Sequence, residues 1–125
     1  MTGTISVEGA NLVFEMHGVD EILAIKRTLQ VPLEHVLSAS ADDTGWQFPQ
    51  MKVAGTDLPG IVKDGRFVTS EGLVFFEMHH PEKCVTVALD HDTYKKIIFE
   101  VEDKEQAAKM INDAVAQRAK LDAQH

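Results

Sequence analysis

The sequence predicts a mainly β domain, α+β by count of elements, in which short antiparallel strands build a small barrel or roll and one C-terminal helix packs over an opening or edge. Three observations predict it. Between Gly60 and Val101 several short β-type runs follow one another across tight turns. A single capped amphipathic stretch then closes the sequence. Near the start, two alternating runs flank a glycine turn.

Taken in order, Ile5-Ser6-Val7-Glu8 and Leu12-Val13-Phe14-Glu15-Met16 on either side of Gly9-Ala10-Asn11 read as an opening hairpin. Leu12, Phe14 and Met16 share one face of the second strand, and Glu15 and His17 the other, as in a half-buried antiparallel sheet. Asp20 to Lys26 has an acidic start and a basic end, which suits a helical turn or two, with a strand as the competing reading. In Thr28 to Leu33, Pro32 lacks the N–H a ladder needs and so marks an edge, a strand end or a bend. His35 to Ser40 resumes as a strand.

Residues 41–59 form the longest irregular segment, and loops of that length inside compact domains tend to be functional or mobile. Beyond it, Lys63-Asp64-Gly65 is expected to turn between Ile61-Val62 and Phe67-Val68, and Ser70-Glu71-Gly72 between that strand and Leu73 to Met78. His80 to Lys83 leads into the run from Cys84 to Leu89, and Asp90 to Thr93 leads into Ile97 to Val101. Each connection is short enough for consecutive strands to pair antiparallel. The helix is expected over about 103–121, capped by Asp103 with Gln106 three residues on, and the last few residues are expected to be disordered. Ala107, Met110, Ile111, Ala114, Val115, Arg118 and Leu121 form its stripe, read as core with a partner-docking face as the alternative.

With 125 residues, 44% hydrophobic and 26% charged, the chain is expected to be one globular domain spanning 1–125. A formal charge of -8 opposes phosphate backbones and anionic headgroups, and the basic pairs Lys26-Arg27 and Lys95-Lys96 stand apart from each other. Nucleic-acid and membrane binding are therefore not expected. Cys84 is the only cysteine, no signal peptide opens the chain, and no apolar run reaches the ~18 residues of a membrane span, so a cytoplasmic protein is expected. Cys84 itself reads as a packed or half-exposed inert thiol.

Little in the sequence points to catalysis. Six histidines include His79-His80 near Glu77, yet there is no HExxH and no CxxC, and neighbouring strand residues face opposite ways. No metal or cofactor is expected. The carboxylate pairs Asp42-Asp43, Asp90-Asp92 and Glu100-Glu102 lie in turn-like or solvent-facing patterns, and Ser38, Ser40 and Ser70 lack a nucleophile-elbow context. Trp46, the sole tryptophan, stands in a polar loop as an anchor or a stacking surface. Gly55-Thr56-Asp57-Leu58-Pro59-Gly60 is a punctuated turn, its plainer role being a rigid lead-in to the next strand.

The order Gly45-Trp46, then Gly55 to Gly60, then Asp64-Gly65-Arg66-Phe67 and Glu71 to Phe75 resembles a family of small, mostly uncharacterised bacterial proteins with a pleckstrin-homology-like fold. Lys26-Arg27, Val31-Pro32-Leu33 and His35-Val36 are also similar to its pattern. The resemblance implies a seven-stranded, partly open barrel of two near-orthogonal antiparallel sheets with the C-terminal helix plugging one end. It implies little about activity, because that fold serves lipids, peptides and proteins alike. Lipid-binding members use a basic loop between the first two strands, whereas Glu8-Gly9-Ala10-Asn11 stands here, which argues against phosphoinositide binding.

The function expected is a non-enzymatic binding or scaffold module that holds a peptide or protein partner, or another copy of itself, at a groove or sheet edge. Its recognition rim is expected at Trp46, Gly55, Thr56, Asp57, Leu58 and Pro59. The alternative is a small-molecule binder or minor enzyme with a pocket under the 41–59 loop, using His35, His79 or Asp57.

Overall fold

The computed structural model describes residues 3–16, 27–41, 50–58, 62–69, 72–78 and 81–123. The described strands form two open sheets followed by one C-terminal helix, the α+β arrangement the sequence predicts.

The smaller sheet holds β1 (Thr4–Glu8), β2 (Asn11–Met16) and β3 (Arg27–Pro32) in that order, all antiparallel. Gly9 and Ala10 alone bridge β1 and β2, since Glu8 already pairs with Asn11. Gly9 has φ 62, which suits the first central position of a tight hairpin turn and which an L side chain seldom adopts. Pro32 is the last residue of β3, and Leu33–His35 form a single 3₁₀ turn whose Leu33 N–H donates to the Ala10 carbonyl at 2.8 Å. The ladder thus stops where the missing N–H would break it.

The larger sheet comprises β4 (Val36–Ser40), β5 (Gln50–Leu58), β6 (Val62–Thr69), β7 (Gly72–Met78), β8 (Cys84–Leu89) and β9 (Lys96–Glu100). Their spatial order is β4-β8-β9-β7-β6-β5. This corrects the expectation that consecutive strands pair throughout. β9 inserts between β8 and β7, antiparallel to the first and parallel to the second, so β7 and β8 are not neighbours. A second correction concerns Lys63-Asp64-Gly65, which lies inside one unbroken strand, opposite Asp57, Thr56 and Gly55. Its turn-forming composition is overridden by pairing on both sides, to β5 and to β7. The irregular segment is likewise shorter than expected, because Gln50–Leu58 is strand.

Alternation along β7 gives each face of the larger sheet its own apolar layer. Val74, Phe76, Met78, Cys84 and Ile98 cluster together on one face, which places the lone thiol in a buried apolar setting. On the other face Phe75, Val85, Val87, Ile97 and Phe99 join Leu12, Phe14 and Val31 of the smaller sheet and Ile111 of the helix. Phe14 and Phe99 meet with ring centroids 5.3 Å apart and planes at 60°, tying the sheets together.

The helix α1 spans Lys104–Ala123. Asp103 Oδ1 accepts the Gln106 N–H at 3.1 Å, the forward half of the expected capping box, and the Ala107 N–H begins the helical ladder on the Asp103 carbonyl at 3.0 Å. Ala108 and Ile111 are buried in the core while Ala107, Met110, Ala114 and Val115 pack partly against it. The buried stripe is therefore rotated toward Ala108, and Leu121, expected on it, is 53% exposed. Among the described residues no helix is long and apolar enough to cross a membrane.

Candidate functional site

Of the residues expected to form a recognition rim, four are described, and these lie in a strand. Trp46 and Pro59 lie outside the described residues, as do His17, His79, Gly60 and the stretch Asp20 to Lys26. Gly55, Thr56, Asp57 and Leu58 belong to β5, at one margin of the larger sheet, rather than to a turn. His35 precedes β4 at the opposite margin, so four strands lie between it and Asp57. His35 and Asp57 thus stand at opposite margins of the larger sheet, and His79 lies outside the described residues.

His35 takes part in a different cluster. Its Nδ1 lies 2.9 Å from Asp92 Oδ2, and its carbonyl accepts the Asp90 N–H at 2.8 Å. The pairing fixes the imidazole against the β8–β9 turn, where His91 adopts φ 58 between the two aspartates. Nearby, Tyr94 packs edge-on against Phe75 with centroids 5.5 Å apart. Burial holds its phenol pKa above the ordinary value, with Arg66 opposing and Asp92 reinforcing the shift. A His-Asp pair orients an imidazole, and among the described residues no three His, Cys, Asp or Glu side chains are placed to hold an ion.

The site with the clearest binding geometry lies between β1 and α1. Alternation in the hairpin makes Glu8-Asn11, Ser6-Val13 and Thr4-Glu15 the hydrogen-bonded pairs, so the N–H and C=O groups of Ile5 and Val7 point away from β2. The Gly3 N–H, two residues earlier on the same side, donates to the Glu100 carbonyl at 3.2 Å. The end of β9 thus begins to pair along the outer edge of β1 and then departs at Val101 to enter the helix. Past that point β1 has no further strand partner among the described residues.

Where the chains diverge, an open groove of about 710 Å³ remains. Ile5, Val101, Ala107 and Met110 supply its apolar surface, and Glu102, Asp103 and Gln106 its polar end. A second hollow of about 440 Å³ continues along the same strand and helix, sharing Gln106 and Met110 and adding Val7 and Ala114. Val7, 40% exposed, is one of three large apolar side chains open to solvent among the described residues. Gly3 is buried at the head of the groove, and a Cβ there would meet the Phe99 ring at 2.4 Å and the Glu15 carbonyl at 2.7 Å. Only glycine permits so close an approach of β1 to β9.

Sequence reasoning missed this site. Two signals were present: alternation that puts Ile5 and Val7 on one face, and a helix stripe with Met110 among small alanines. Neither reveals which strand is left with an open edge. Comparison of the chain with protein-family models, with curated proteins and with solved structures returns no match.

Proposed function

We propose that this chain is a non-enzymatic binding module that takes up an extended segment of a protein or peptide partner by strand addition along the outer edge of β1. The observation that carries this reading is the backbone of Ile5 and Val7, which has no partner among the described residues and faces an open, largely apolar groove walled by α1. An added strand would gain up to four main-chain hydrogen bonds from those two residues, while its alternate side chains meet Met110 and Ala107.

The pleckstrin-homology-like reading of the sequence accompanies this proposal. Antiparallel sheets and a C-terminal helix packed on them support it, and the parallel pairing of β7 with β9 departs from a simple meander. So does a cytoplasmic location, supported by the acidic composition and the single cysteine. The excess of carboxylates disfavours nucleic acid and phosphoinositide as partners.

A phage-displayed library of random ten-residue peptides, followed by amide shift mapping on ¹⁵N-labelled protein, tests the reading. Enriched peptides are expected to shift the amides of Ile5, Val7, Gln106 and Met110. Val7→Pro removes an N–H that β2 does not use and should abolish binding while the fold persists; Met110→Glu should do so from the opposite wall. Enriched peptides that bind both variants unchanged, or no enrichment at all, would overturn it.

A further inference from the structure

We propose that the segment held by the β1 edge is basic as well as apolar and comes from another molecule, not from a second copy of this chain. The inference rests on the groove reading above and names the chemistry of its occupant.

The groove carries carboxylates in excess. Glu102, Asp103 and Asp113 line its two hollows, against Lys109 as the one cation among the described lining residues. Lys109 Nζ is 3.0 Å from Asp113 Oδ2, so that pair neutralises itself. Asp103 Oδ1 accepts the Gln106 N–H that caps α1. Glu102 is exposed and makes no ion pair or side-chain hydrogen bond among the described residues. Two carboxylates therefore stand at the end of the groove where β9 leaves the edge of β1, beside apolar surface from Ile5 and Val101 that lowers the local dielectric. At the other end of β1, Glu8 is exposed, its Oε2 3.4 Å from the Ser6 hydroxyl.

This distribution selects between occupants. Two copies pairing β1 with β1 antiparallel would set Glu8 of each against the Glu102 end of the other, joining like charges between molecules that each carry -8. A strand with lysine or arginine at its ends would instead place cations against both acidic ends, with small apolar residues between them on Met110 and Ala107.

The test uses two acetylated, amidated heptapeptides, KTVTVTK and ETVTVTE, titrated into the ¹⁵N-labelled full chain. The lysine peptide should bind about tenfold more tightly at low ionic strength, with the difference shrinking to about threefold or less near 0.5 M salt. Glu102→Lys should reduce the preference without moving the Ile5 and Val7 amide shifts. Equal affinity of the two peptides, with Ile5 and Val7 shifted by both, would overturn the charge assignment and leave the groove reading intact. Absence of any shift at Ile5 and Val7 would overturn both. A concentration-dependent dimer in sedimentation, lost in Val7→Pro, would assign the edge to a second copy and overturn the inference.

Discussion

Two strand edges meet the same helix and are treated in opposite ways. At β4, Asn112 of α1 accepts the Ala39 N–H through Oδ1 at 2.9 Å and donates from Nδ2 to the Ala39 carbonyl at 2.9 Å. One amide side chain thereby imitates a neighbouring strand at the margin of the larger sheet. At β1 the facing residues of α1 include Gln106, Ala107 and Met110, and among the described residues no side chain bonds the outward backbone groups of Ile5 and Val7. An unprotected edge is an aggregation liability that folds ordinarily cover, as Asn112 does at β4. Leaving the other open beside an apolar hollow is the arrangement a strand-accepting site requires.

The comparison can be broken at several points. Gly3→Ala should have the largest effect, because the fully buried Phe99 ring cannot yield easily and β1 must separate from β9; a loss of about 3 kcal/mol in urea unfolding is expected. Asn112→Ala should cost about 2 kcal/mol by stranding both Ala39 groups. That variant should also turn β4 into a second open edge, so its tendency to associate should rise with concentration in light scattering. Asp103→Ala removes the cap at the head of the groove and should lower stability by about 1 kcal/mol, read as a fall in melting temperature. Lys109→Ala breaks an exposed ion pair and should change stability by less than about 0.5 kcal/mol, yet it leaves Asp113 unopposed and should strengthen the preference for the lysine peptide.

Much of the fold was legible because its signals are local. The Gly9-Ala10 turn, the stop at Pro32, the burial of Leu12, Phe14 and Met16, and the Asp103 cap each depend on residues within a few positions of one another. The errors arose where partners are distant. Lys63-Asp64-Gly65 has turn composition but is held extended by strands on both sides, and Gln50–Leu58 reads as irregular until β6 is laid beside it. Insertion of β9 between β7 and β8 cannot be inferred from loop lengths, since every connection would also permit a meander. The site was missed for the same reason: Ile5 and Val7 look like ordinary strand residues, and what distinguishes them is that β9 turns away after Glu100.

Amide hydrogen exchange at Ala39, Ile5 and Val7 tests the contrast between the two edges most directly. The Ala39 amide should be strongly protected, and those of Ile5 and Val7 should exchange near the rate of exposed chain, slowing when the lysine heptapeptide is added. Ile5 and Val7 amides as protected as Ala39 in the protein alone would show that the β1 edge is already occupied, and would contradict that contrast.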